Sequence, residues 1–297
     1  LSSRTSVRPA PRLVLPVPSR LGEHTVLERL GADYLARDAD GGLVVLSVLP
    51  WVRGPRSRAV AQARLEAAAQ ASSRHLARVV HSDVGGDKPH VVGEYVDGPS
   101  LRDVVGADGP LPAAELAATA RRTAAALAAL HRAGTTHGAF EPGRVLYPRG
   151  GAKVTGAGTA DPDAREVAHP AYQAPEHIED EPVGAPADVW AWAATLVYAA
   201  TGHPPFGFGA GDVLARRITS RPPDLGDLDG PLRDLLLRCL DKDPEARPTT
   251  SRLVRVLRDE APHEERTGPR RIPRYRWRMM VALGGVVGAG FGVGIVW

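Results

Sequence analysis

The sequence has one cysteine, Cys239, so no disulfide can form within the chain. It sits in the apolar helical run RDLLLRCL, where a small core residue is expected rather than a nucleophile. Aromatic residues make up only 5% of the chain, and no basic stripe carries interleaved aromatics, which argues against a nucleic-acid partner. The histidines are scattered without metal-ligand spacing, so no metal site is expected. Acidic residues are missing from the first twenty positions, LSSRTSVRPAPRLVLPVPSR, which also lack a continuous apolar run. That stretch predicts a flexible Arg/Pro-rich lead-in over 1–22 rather than a signal peptide. Charge of either sign is absent from residues 279–297, MMVALGGVVGAGFGVGIVW.

What is present is ordinary globular composition: 297 residues, 43% apolar and 24% charged, with a formal net charge of +3. Residues 24–50 alternate apolar and polar and then run apolar, predicting about three short antiparallel strands with the turn at Asp40-Gly41-Gly42. An alanine-rich helix is expected over 56–72. Two further strands follow within 75–96, around a Gly85-Gly86-Asp87 turn. This first lobe, 23–96, reads as five strands and one helix. Asp97-Gly98-Pro99-Ser100 breaks the pattern, and Ser100 can cap the short helix LRDVV. Leu116, Ala120, Ala124, Leu127 and Leu130 recur at helical spacing in a long helix over 112–133, which Gly134 ends. Helices are then expected at about 186–201, 211–219, 231–240 and 249–260. Strands first and helices afterwards predict a bilobal α+β protein with a helical second lobe over 97–262.

A basic linker spans 263–278, rich in arginine, ahead of the uncharged run. A nineteen-residue helix would rise about 28 Å, close to the hydrocarbon thickness of a bilayer. The flanking RRIPRYRWR marks the cytoplasmic side of a single membrane span, with Tyr275, Trp277 and Trp297 at the interfaces. Gly284, Gly288 and Gly292 are spaced for close contact with a second helix, so a helix-mediated dimer is one expectation.

Three long motifs stand in order along the second lobe. Ala171-Tyr172-Gln173-Ala174-Pro175-Glu176 comes first, then Asp188-Val189-Trp190 with ATLVYAATGHPPF. Cys239-Leu240-Asp241-Lys242-Asp243-Pro244 through Arg247-Pro248-Thr249 comes last. Along 24–260 the chain resembles bacterial eukaryotic-like Ser/Thr protein kinases. The resemblance implies a bilobal kinase-like fold, a buried Glu176–Arg247 pair, Asp188 holding the backbone of the catalytic loop, and a structural His137. It places Glu94, Tyr95 and Val96 at the hinge that meets adenine, Gly93 at the gatekeeper position, and Glu66 at the helix glutamate. The abundance of arginine and alanine also fits a GC-rich bacterial genome.

The chemistry of the resemblance is not matched. In HGAFEPGRVLYPRGGAKVTGAG, the catalytic base position is Ala139, the lysine position Glu141, the asparagine position Arg144 and the metal-binding aspartate position Gly156. Ser47 stands where the first-lobe lysine would be, and the glycine-rich loop is reduced to Gly31. His169 stands at the P+1 threonine position, and Thr159 is the only hydroxyl of the loop to Val167. Phosphoryl transfer needs cations on the phosphates, ligands for magnesium and a group that orients the nucleophile. These substitutions predict a pseudokinase with weak or no ATP binding, tethered to the membrane and acting on an unknown cytoplasmic protein partner. A divergent active Ser/Thr kinase and a metal-independent ATP sensor are the alternatives, with Asp161, Asp163 and Glu66 as candidate substitutes for lost groups. Arg144 is expected either to enter the emptied metal position and pair with Glu141 or Glu66, or to point to solvent.

Overall fold

The computed structural model describes residues 19–162, 169–209 and 211–259. The basic linker, the apolar run 279–297 and Asp163 lie outside them. Among the described residues no helix is long and apolar enough to cross a membrane.

The first lobe is built on a six-stranded antiparallel sheet in the order β1-β2-β3-β4-β6-β5. Its strands are β1 (Ser19–Leu21), β2 (His24–Leu30), β3 (Asp33–Arg37), β4 (Leu43–Val48), β5 (Val79–Asp83) and β6 (His90–Glu94). That is one strand more than the sequence pattern predicts. The last residues of the expected lead-in join the sheet because Gly22, at φ +59°, closes a tight hairpin that pairs Leu21 with His24. Leu21 is then buried. The β2–β3 connection is equally short: Gly31, at φ +63°, and Ala32 turn the chain so that Leu30 faces Asp33. Asp38 closes the β3–β4 turn by accepting from the Gly42 amide at 2.6 Å. Helix α1 (Pro55–Gln70) lies between β4 and β5 and buries Ala61, Leu65 and Ala68. Its 3.6-residue period puts those positions on one face.

In the second lobe, α2 (Leu101–Asp108) is capped by Ser100, whose hydroxyl accepts from the Asp103 amide at 3.1 Å. The long α3 (Ala113–Arg132) buries Leu116, Ala120, Ala124, Leu127 and Leu130. After it come a 3-10 turn at Pro142–Arg144 and the two-stranded ribbon β7 (Val145–Leu146) and β8 (Lys153–Val154). Helices α4 (Pro175–Ile178), α5 (Ala185–Thr201), α6 (Gly211–Ser220), α7 (Gly230–Cys239) and α8 (Thr250–Asp259) complete the lobe. Helix α5 is buried nearly all round, from Ala187 to Ala199, as expected for an element apolar on every face. Its Trp192 indole donates to Thr123 Oγ1 at 2.9 Å, so the large ring enters the core without leaving a polar atom unpaired. Cys239 is fully buried, and burial pushes its thiol up to about 12, which makes it inert packing.

Backbone pairing also joins the lobes. The Ala77 amide donates to Val154 O and the Val154 amide to His75 O, each at 2.8 Å, so the segment after α1 docks on β8.

Candidate functional site

The site is the cleft between the sheet and the 3-10 turn. It rests on a frame of buried charges. Asp188, in the first turn of α5, accepts from the His137 amide at 2.7 Å and the Gly138 amide at 2.8 Å. His131 Nε2 lies 2.8 Å from the same carboxylate. Burial alone would raise the Asp188 carboxyl, but these hydrogen bonds and the neighbouring imidazoles outweigh it and hold the group below the usual carboxylate value. His137 is fully buried, and burial holds its imidazole well below the usual histidine value. Its ring meets Thr155 O at 2.9 Å and Phe140 edge-on. It fastens the loop to the residue that follows β8 and is closed off from solvent. Below the loop, Arg247 and Glu176 form a two-pronged pair at 2.7 and 2.8 Å. Arg247 also donates to Asp241 O, Pro186 O and Lys242 O, so the buried charge is fully coordinated.

Within this frame the chemical positions are filled by other means. Ala139, with no polar side-chain atom, stands on the loop; its amide donates to His137 Nδ1 at 3.3 Å. Glu141 caps the 3-10 turn by accepting from the Gly143 amide at 2.8 Å. Its carboxylate is paired with Arg102 of α2, which also approaches His169 Nε2 at 3.2 Å. Burial lowers the His169 imidazole from its ordinary value, leaving a ring nitrogen free to accept from Arg102. The reversed charge at Glu141 is therefore neutralised locally.

Arg144 enters the cleft. At Gly156, where φ is +80°, a Cβ would meet Arg144 Nη1 at 3.0 Å and Cδ and Cζ at 3.1 Å. The arginine stem thus occupies the space that an aspartate side chain would need. Its partner is neither Glu141 nor Glu66 but Asp33, in an ion pair with both side chains largely buried. Asp33 also accepts from Ser47 Oγ at 2.8 Å. One carboxylate from the shortened β2–β3 turn thus ties the serine at the lysine position to the arginine at the asparagine position, across the cleft.

Glu66 is also placed differently from the expectation. It is exposed on the outer face of α1 and accepts from Gln62 Nε2 at 2.6 Å. The inward residue is Arg64, one turn from Ala61 and Ala68. Its guanidinium lies 3.4 Å from Thr136 O and 3.3 Å from where a Gly138 Cβ would stand. Desolvation lowers its pKa, opposed by Asp188 and Asp161, and it remains a cation. Asp161 thus belongs to the field around Arg64. Trp51 Nε1 donates to Thr159 O at 3.2 Å, another tie from the first lobe to the loop after β8.

At the hinge, Glu94 turns its carboxylate to Lys153 Nζ at 2.6 Å and to the Arg78 amide at 3.1 Å. Burial would raise this carboxyl, but those donors hold it below the usual value. Tyr95 Oη reaches Asp97 at 3.4 Å, and Val96 is buried.

The residues present do not fit a magnesium–nucleotide. A glycine and a guanidinium stand at the positions that the resemblance aligns with the metal ligands, and a serine at the one it aligns with the phosphate-binding lysine. The sequence contains no asparagine to take the second ligand's place. Among the described residues no cluster of three His, Cys, Asp or Glu side chains could hold a metal ion.

Residues 54–256 match the protein kinase domain. The chain belongs to the protein kinase family. This kinase-family chain is 34% identical over 256 residues to the probable serine/threonine-protein kinase PkwA of Thermomonospora curvata, covering 81% of this chain and 34% of that protein. It is 34% identical over 263 residues to serine/threonine-protein kinase AfsK of Streptomyces coelicolor, covering 83% of this chain and 32% of AfsK. It thus spans about a third of the length of these curated relatives. A crystal structure of Rad53 1-466 in complex with AMP-PNP shares the fold, with a TM-score of 0.65 at 20% identity over 78% of this chain and 64% of that one.

The residues that sequence reasoning missed are Asp33, Arg64 and Arg102. Asp33 carried one signal, an acid directly after the lone Gly31-Ala32 turn. The other two look like surface arginines in a chain full of them.

Proposed function

We propose that this kinase-family chain is a pseudokinase that works by binding another protein and does not transfer phosphate efficiently. The observation that supports the reading is the Asp33–Arg144 bridge beside Gly156, which fills the space around the position that the resemblance aligns with a metal-binding aspartate. Electrostatic groups aimed at the developing charge are the largest catalytic contribution in most enzymes, and losing one costs about 10²–10³ in rate. Here the base, both metal ligands and the phosphate-binding lysine are replaced together. The frame that shapes the loops, from Asp188 to the Glu176–Arg247 pair, is complete. A rigid kinase-shaped surface without turnover suits a regulatory or scaffolding role. The apolar run 279–297 would tether it to the membrane beside its partner.

A divergent active Ser/Thr kinase is the second reading, and the observation favouring it is 34% identity to proteins named as such. Incubation of the purified chain with γ-labelled ATP, Mg²⁺ or Mn²⁺ and a generic protein substrate separates the two. The expected result is incorporation no higher than in a heat-denatured sample. Metal-dependent incorporation that tracks the chain through a second chromatographic separation would overturn the pseudokinase reading.

A further inference from the structure

A second cavity lies away from the cleft, where the segment after α1, helix α3 and the β7–β8 turn meet. It measures about 460 Å³ and is lined by Arg74, His75, Arg122, Gly150, Gly151 and Lys153, together with Pro148. That volume is in the range of small-ligand sites. Its charged side chains are cationic, and among the described residues the acid paired with them is Glu94, bonded to Lys153 Nζ at 2.6 Å. Arg122 has no hydrogen bond or ion pair among the described residues. It is nonetheless half-buried and pressed against the backbone of Gly151, where a Cβ would stand 1.8 Å from Nη1. Gly151 holds φ +88°, a conformation that favours glycine, and a Cβ there would force the Arg122 guanidinium to shift. Arg74 Nε reaches His75 Nε2 at 3.1 Å, which orients a second guanidinium at the rim. Burial first, and then the charges of Arg74 and Arg122, lowers the His75 imidazole from its ordinary value.

We infer that this cavity binds a small soluble phosphate-bearing anion, held by Arg74, Arg122 and Lys153 and bridging the two lobes. Guanidinium forks match the oxygens of phosphate, and the bonds are charge-assisted. The site draws on both lobes: Arg74 and His75 follow α1, while Arg122 and Lys153 belong to α3 and β8. Lys153 is also the partner of Glu94, so an anion that draws its ammonium would loosen the Glu94 contact at the hinge. This inference concerns a site separate from the cleft and holds whether or not the chain transfers phosphate.

The test is calorimetric titration of the full chain with pyrophosphate at fixed ionic strength, alongside chloride controls and phosphatidic-acid vesicles. Saturable pyrophosphate binding is expected, weakened about tenfold in R122Q, the loss of one charge-assisted contact. G151A should weaken it similarly by displacing the Arg122 guanidinium, while R144Q in the cleft should leave it unchanged. Thermal melting confirms that each variant is folded. Binding that survives in R122Q and G151A, that is lost in R144Q, that chloride reproduces, or that appears only on vesicles would each overturn the inference.

Discussion

An aspartate at Gly156 would set its Cβ 3.0 Å from Arg144 Nη1 on a backbone at φ +80°. An acid introduced there therefore crowds the Arg144 side chain. G156D is expected to lose about 1–3 kcal/mol from overpacking and backbone strain. The double variant G156D/R144N should recover part of that loss, because removing the guanidinium stem opens the space; urea denaturation of both checks this. The Asp33–Arg144 pair, with side chains 14% and 20% exposed, is mostly out of water. A double-mutant cycle of D33N and R144Q should give a coupling energy of about 0.5–3 kcal/mol. A coupling near zero would show that the bridge does not hold the cleft. Removing one partner of the buried Glu176–Arg247 pair is expected to cost more, about 3–5 kcal/mol in E176A or R247A, because the remaining charge is stranded. Chemical denaturation monitored by tryptophan fluorescence reads that loss directly.

At the scale of elements, the phase of α1 decides which charge faces the cleft. Ala61, Leu65 and Ala68 dock inward, so Arg64 rides with them and Glu66 does not. A two-residue shift in alignment is invisible in an alanine-rich sequence, where many phases bury equally small side chains. The packing of Leu65 against Gly158, whose Cβ would lie 3.1 Å from Leu65 Cδ2, resolves it. L65A is expected to lose about 2–5 kcal/mol and to raise hydrogen exchange along α1. The capping of α2 is simpler to read. Ser100 and Asp103 bond reciprocally at the helix start, and S100A should cost about 1 kcal/mol. The longer second-lobe helices, α3 and α5 to α8, were legible to within one residue because periodic runs end at glycine, proline or a cap, whereas α2 runs three residues past the expected LRDVV and the four-residue α4 is too short to show a period. The extra strand β1 was not. Ser19–Leu21 is too short to show alternation, and only the hairpin at Gly22 recruits it.

For the whole molecule, burial lowers the imidazoles of His75, His137, His169 and His177 from their ordinary value. The sign follows from linkage: below about pH 6.5 the unfolded chain takes up protons that the folded chain resists, so unfolding is favoured. Stability is expected to be full above neutral pH and to fall between pH 7 and 5, before the carboxylates titrate. The melting temperature measured across that range checks it, and a flat profile would contradict the buried neutral rings. Asp188 adds a second, lower window, because its depressed carboxyl is stabilising above about pH 3.8 and that contribution is lost on further acidification. The sequence by itself determined the two-lobed plan and the residue types on the loops, Ala139, Glu141, Arg144 and Gly156 among them, since both rest on residue types at fixed short spacings. What those side chains meet was decided only by the tertiary structure. Asp33 and Arg144 are separated by 111 residues, and their meeting depends on how the β2–β3 turn closes over the 3-10 turn. The basic cavity arises the same way, from α1's exit, α3 and the β7–β8 turn, whose arginines look alike until folding leaves Arg122 pressed on Gly151 with no acidic partner among the described residues. Local spacing carries backbone conformation and side-chain identity, whereas charge pairing is set by distance in space, which a linear chain does not encode position by position.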